Sequence, residues 1–243
     1  MKIKLRTFKI YQVGTGGTGS QLLNNMCRFI STMRKRGIKI SLTLIDGDRF
    51  EEKNLLNQNI TRRDIGINKA EVLATRYSAI YGIPIKYVDK YIYAAGELME
   101  VVKHYDQFSS ETPIIIGAVD NNATRQLMNQ VFNGLSSCIY LDSGNGTDNM
   151  EGQCVIGYRY NKKTILEPIA AIYPEVLEDN DLIENIVGCD RPDEDESPQH
   201  ITTNVLAANI LFCNLCSIIE RNEIQNHVIR FNSLTQSVRV TKA

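Results

Sequence analysis

Apolar positions along the chain fall into two periods. The runs at 2–13, 38–45, 83–88, 113–119 and 137–142 alternate or are wholly apolar, which predicts β-strands. The stretches at 18–36, 68–81, 94–105 and 123–134 return to apolar residues every three or four positions, which predicts helices. In the first helix that face is Leu22, Leu23, Met26, Phe29, Ile30 and Met33. Arg34, Lys35 and Arg36 suit its carboxyl end, and Gly37 its stop. The 113–119 run is apolar on both faces, as in the middle of a parallel sheet, and ends at Asp120. Strand and helix alternate to residue 142. This predicts an α/β fold with a Rossmann-like, doubly wound, mostly parallel sheet.

After Gly144 the pattern changes. Residues 152–160 and 228–240 read as antiparallel strands that extend the sheet, the second with a turn near 233–236. Residues 51–67 are polar and aperiodic, as in loop and short turns. Residues 166–198 are acidic and irregular, with 190–196 the most charged piece, and read as a crossover. Residues 201–220 form a long apolar helix expected to pack on the sheet. The expected organisation is one domain over 1–243, with halves 1–146 and 147–243.

One stretch carries the strongest chemical signal. Residues 13–20 place Gly14, Gly16 and Gly19 in the G-x-G-x-x-G spacing, between the first strand and the first helix. Gly14 permits a tight turn. Gly16 and Gly17 let a phosphate lie against bare backbone, and the N–H groups near Thr18, Gly19 and Ser20 face an anion. The next strand ends on Asp46 and Asp48, and an acid there suits ribose hydroxyls. Such spacing also arises in glycine turns that hold nothing. The strand before it, the helix after it and the acid beyond make nucleotide binding the reading.

Composition narrows the classes. The chain has 243 residues, 43% hydrophobic and 23% charged, with net charge −1, enough for one α/β domain with additions. No basic excess points to nucleic acid. No apolar run is expected to span a bilayer, so no membrane partner is expected. The start enters a strand directly, so no signal peptide is expected either. The expected setting is cytoplasmic, with the cysteines at 27, 138, 154, 189, 213 and 216 as free thiols. Cys213 and Cys216 form a C-x-x-C within the apolar helix. A zinc site would need a second pair, so both are expected to be buried, and Cys27, Cys138 and Cys154 to be core.

Further candidates fall at the carboxyl ends of the predicted strands, where doubly wound sheets bind ligands. Asp120 and Asn121 close the 113–119 strand, and Arg125 lies a helical turn on. Asn54, Asn57 and Gln58 supply neutral hydrogen-bonding groups, and Lys69 a cation for phosphate. Hydride transfer with a nicotinamide cofactor needs only the glycine turn and one acid. Nucleotidyl transfer uses the rest. A carboxylate attacking an α-phosphate must approach a highly negative triphosphate. Mg2+ on Asp120, Lys69 and backbone N–H groups would offset that charge. No G-x-x-x-x-G-K-[ST] is present, which excludes a P-loop. A nicotinamide-dependent oxidoreductase and a non-catalytic nucleotide-binding scaffold stay open as alternatives.

Residues 14–20, 45–48 (Ile-Asp-Gly-Asp), 53–58 (Lys-Asn-Leu-Leu-Asn-Gln), 64–69 and 120–125 resemble, in order and spacing, the ThiF/MoeB/ubiquitin-activating superfamily. In the second half, residues 141–146, 152–157, 188–189 and 231–235 resemble the ThiF-like proteins of PRTRC plasmid-type systems. The resemblance implies an adenylating enzyme, dimeric, that uses ATP and Mg2+. Its substrate would be the C-terminal glycine of a ubiquitin-like or sulfur-carrier protein, with a conjugating-enzyme-like protein as a further acceptor. By position, Asp46 would hold the ribose, Asp120 the metal, and Asn54 and Lys69 the triphosphate. The family's usual arginine before the glutamine is Asn57 here, which removes a phosphate cation. Arg62 and Arg63 are candidates to replace it, against a reading as solvated loop charges. A second family arginine, upstream of the first strand, is expected to be missing, and Arg6 is a poor stand-in. Cys189 is the candidate acyl-accepting thiol, opposed by the acidic neighbours Asp190, Asp193, Glu194 and Asp195 and by a purely structural reading. His200 reads as a polar helix start.

Overall fold

The computed structural model describes residues 1–3, 7–103, 112–146, 150–179 and 200–243. Five strands run parallel in the order β3-β2-β1-β4-β5: β1 (Thr7–Val13), β2 (Lys39–Ile45), β3 (Ile85–Val88), β4 (Pro113–Gly117) and β5 (Cys138–Asn145). Beyond β5 the sheet continues antiparallel through β6 (Glu151–Tyr160), β8 (Asn226–Asn232) and β9 (Ser237–Lys242). The short β7 (Lys163–Leu166) pairs with β6.

Helices cover both faces. On one lie α1 (Gly17–Lys35), α2 (Lys69–Tyr81) and α7 (Ile201–Arg221). On the other lie α3 (Ala95–Lys103), α4 (Asn122–Gly134) and two single turns, α5 (Ile169–Ile172) and α6 (Glu175–Glu178). β4 shows why its sequence is continuously apolar. Ile114 and Ile116 pack under α1 and α7, while Ile115 packs under α4. Each such side chain stabilises the fold by about 1.5–3 kcal/mol relative to exposure.

Several expectations are corrected. Among the described residues the first strand spans Thr7–Val13 and Lys2 makes an isolated bridge to Glu223, while residues 4–6 of the expected strand lie outside the described residues. β5 runs past residue 142 to Asn145, because Ser143 to Asn145 pair with Gly152 to Cys154 of β6. β7, α5 and α6 are four residues each, too short to show a period. The tail of the helix expected to 105 and the crossover at 180–199 lie outside the described residues. α7 is long and apolar enough to cross a membrane by composition, contrary to the expectation of no such run. Half of it is buried, against α1, β5 and β6. Its other face is open, so Cys213 is exposed and Cys216 only partly covered rather than both buried. Cys27, Cys138 and Cys154 are core.

Candidate functional site

The chain winds outward from β1 through β2 to β3, then returns to the other side of β1 as β4. The reversal opens a crevice at the carboxyl ends of β1 and β4, the usual ligand position in such sheets. The turn after β1 is held tightly there. Gly14 donates to Ile45 O (3.0 Å) and Ala118 to Val13 O (2.9 Å). Gly14 has φ +89°, and a Cβ on it would lie 2.4 Å from Ala118 O, so only glycine fits. Buried Gln12 ties the turn to the helix, its Nε2 donating to Gly14 O (2.9 Å) and Gly19 O (3.1 Å).

The glycines that follow differ. Gly16 is open; the nearest atom to a Cβ there is Gln58 Nε2 at 4.0 Å. Gly17 is closed, since a Cβ would lie 2.5 Å from Asn204 Nδ2 of α7. Bare backbone is therefore offered at Gly16 and not at both. Ser20 is fully buried, its hydroxyl turned to Gly17 O (3.3 Å), so it presents no side chain to a ligand. Thr18 donates to Asn204 Oδ1 (3.1 Å).

The two acids after β2 are placed by their neighbours. Asp46 Oδ2 accepts from Thr15 N and Oγ1, both at 2.7 Å, and its Oδ1 accepts from Asp48 N (2.9 Å). Burial pushes the Asp46 carboxyl above its ordinary value, with Lys69 pulling the other way. Asp48 Oδ2 accepts from Lys69 Nζ (2.9 Å), and its Oδ1 from the Tyr91 hydroxyl (2.6 Å). Burial alone would raise Asp48, but the Lys69 charge and these hydrogen bonds hold it below the usual carboxylate range. The Lys69 side chain is 10% exposed. Burial opposes its charge, yet Asp46, Asp48 and then Asp120 together hold it above the ordinary lysine range. Asn68 clasps the acidic loop from below. Its Nδ2 donates to Asp46 O (2.8 Å) and Asp48 O (3.1 Å), while its Oδ1 caps α2 at Glu71 N (3.0 Å).

The other candidates divide. Asp120 is exposed, touched by Asn121 Nδ2 at 3.3 Å. Asn121 Oδ1 caps α4 at Thr124 N (2.8 Å). Arg125 is not a ligand-facing cation. It is buried, with Nε on Asp142 Oδ1 (3.1 Å) and Nη2 on Val119 O (2.6 Å), and it ties the loop after β4 to β5. Asn54 Oδ1 accepts from Glu51 N (3.0 Å), which caps its own short turn. Among the described residues, the buried oxygens Asn57 Oδ1 and Gln58 Oε1 have no hydrogen-bond partner. Arg62 does not replace the missing arginine: it is exposed and paired with Glu52 (2.8 Å), and Arg63 is exposed as well. His200 caps α7, its Nδ1 accepting from Thr202 N (3.3 Å). Cys189 and Arg6 lie outside the described residues. Gln12, Tyr91, Asn145 and Asn204 touch these candidates and are not singled out by sequence. Their only signal is a polar residue set within, or beside, an apolar element.

Among the described residues no group of three or more His, Cys, Asp or Glu gathers to hold a metal. Asp120 stands as a single exposed carboxylate. Mg2+ commonly uses one or two carboxylates together with substrate phosphates and water. The donor set fits that mode and not an all-protein cage.

Solved structures share the fold. E. coli MccB with AMPCPP and MccA matches with TM-score 0.64 at 17% identity, covering 98% of this chain and 64% of that one. E. coli MccB with ATP matches with TM-score 0.62 at 18% identity, with the same coverage. PaaA matches with TM-score 0.62 at 16% identity, again covering 98% and 64%. The chain thus spans somewhat less than two thirds of the length of these structures. No protein curated for function matches it. The model of the ThiF family matches residues 2–240, and the chain belongs to that family.

Proposed function

We propose that the chain is an ATP-dependent adenylating enzyme acting on the terminal carboxylate of a peptide or small protein. The observation that carries this reading is Lys69, buried and held charged by Asp46, Asp48 and Asp120 beside the glycine turn. A hydride-transfer site does not need a lysine and a strand-end aspartate beyond the acid on the ribose; a triphosphate that brings Mg2+ to offset these carboxylates does. Family membership supports the reading, as does the shared fold with MccB, which has been solved with ATP and with MccA.

In this reading Asp46 takes the ribose hydroxyls. The phosphates lie over Gly16 and the amino end of α1, with Lys69 beside them. A carboxylate oxygen of the acyl substrate attacks the α-phosphorus. The new O–P bond forms as the bond to the β-phosphate oxygen breaks, and pyrophosphate leaves with that electron pair. Asp120 would hold Mg2+ carried by the triphosphate, which offsets its negative charge. The finer assignments are that the substrate ends in glycine on a ubiquitin-like or sulfur-carrier protein, that the enzyme works as a homodimer, and that Cys189 or a separate protein thiol takes the acyl group. A second reading, a nucleotide-binding scaffold without catalysis, draws on one observation: Asn57 brings no charge where the family has arginine, and Arg62 is paired away.

ATP–pyrophosphate exchange tests the proposal, with a glycine-terminated small protein as acyl substrate. Wild type should exchange, and Asp120→Ala should lose exchange while keeping its melting temperature, because Asp120 is exposed. Undiminished exchange would refute the role of Asp120. ATP binding by wild type without exchange would favour the scaffold.

A further inference from the structure

Asn204, near the start of α7, is only 1% exposed. Its carbonyl end is fixed by two donors from two other elements: Thr18 Oγ1 of α1 at 3.1 Å and Asn145 Nδ2 of β5 at 2.8 Å. Asn145 Nδ2 also reaches Thr18 Oγ1 at 3.0 Å, so the three side chains form one cluster. Among the described residues, the amide nitrogen of Asn204 has no hydrogen-bond partner, and Asn145 Oδ1 is likewise unpaired. The Asn204 amide nitrogen lies against Gly17, the first residue of α1, where a methyl group would lie 2.5 Å from it.

A buried primary amide seldom goes unpaired in a native fold. Here it is pinned at the amino end of a 19-residue helix that has no side-chain cap and no acidic residue in its first turn. The uncapped N–H groups and the helix dipole favour an anion at this end. The unpaired donor beside them asks for the same partner, an anionic oxygen.

We infer that Asn204 is a phosphate-binding residue of this site, delivered to the amino end of α1 by the second half of the chain and oriented there by Thr18 and Asn145. The inference rests on the nucleotide-binding reading above. It assigns α7 a share of the ligand contact that the glycine turn and the acids of the first half leave unfilled. It also accounts for Gly17: a side chain there would push the amide away.

Calorimetric titration with ATP and with adenosine tests this. Adenosine carries the base and ribose without phosphate. Asn204→Ala should weaken ATP binding by about tenfold or more, the usual scale for losing a hydrogen bond to a charged group, with adenosine binding unchanged. Asn204→Asp keeps the volume and an acceptor oxygen but sets a carboxylate against the phosphates, and should weaken ATP further. It decides the matter if the alanine variant does not fold. An ATP-to-adenosine affinity ratio equal to wild type in either folded variant, with only the melting temperature lowered, would overturn the inference. Wild type that binds neither compound would instead overturn the nucleotide reading itself.

Discussion

Lys69 is where the fields of three carboxylates meet, and its chemistry sets the behaviour of the site. Its proton is held more tightly than in an ordinary lysine, so its contribution is full below the usual lysine range and fades only above that range. Asp48 is held below the usual carboxylate range, so its contribution is present above that range and is lost as pH falls through its lowered value. The pair is therefore intact across neutral pH. Lys69→Met should destabilise the fold by about 1–2 kcal/mol at neutral pH, a value tempered by the half-exposed partner. The difference should shrink in acid as Asp48 protonates. Denaturant unfolding of both proteins across that range checks it, and a pH-independent difference would contradict the pairing. Lys69 and Asp46 can be proposed from sequence because they stand in ordered motifs beside the glycine turn. Arg125 misled for the same reason: an arginine one turn after a strand-end acid reads alike whether it faces a ligand or, as here, buried Asp142. Asn145 and Asn204 were not legible, because 59 residues separate them and only the fold brings their amides together.

At the scale of elements, residues 51–67 show how an aperiodic segment becomes ordered. Two short 3-10 turns, Glu52–Leu56 and Arg62–Asp64, each carry a reciprocal capping box. The second is anchored to α2. Asp64 Oδ2 accepts from Thr61 N (2.6 Å), Thr61 Oγ1 (2.9 Å) and Arg76 Nη2 (2.5 Å). Burial opposes the Asp64 charge, but these donors hold its carboxyl below the usual range. Its contribution is thus present above the ordinary carboxylate pKa and lost as pH falls through the lowered one. Asp64→Asn should cost about 1–3 kcal/mol at neutral pH, with the two proteins converging in acid. Thermal melts of both at several pH values test this; a gap that persists into acid would mean that packing, not the ionised carboxylate, carries the effect. The long elements of the first half were readable because each spans several periods. The single-turn α5 and α6 and the four-residue β7 were not, for want of a period to read.

For the whole molecule, the reversal of strand order beside β1 decides where chemistry can happen. It brings the glycine turn, the acids after β2 and the loop after β4 to one crevice. The antiparallel extension serves the same place from the far side. β5 lengthens because β6 pairs with it, and its last residue, Asn145, then reaches Thr18 and Asn204. The second half therefore packs against the amino end of α1 as well as widening the sheet. The most direct test of this account is a crystal structure of the protein with a non-hydrolysable ATP analogue. The account predicts the ribose on Asp46, the triphosphate over Gly16 and the amino end of α1, and Lys69 and Asp120 turned toward the phosphates. A nucleotide bound elsewhere, or Lys69 and Asp120 turned away from the glycine turn, would contradict it.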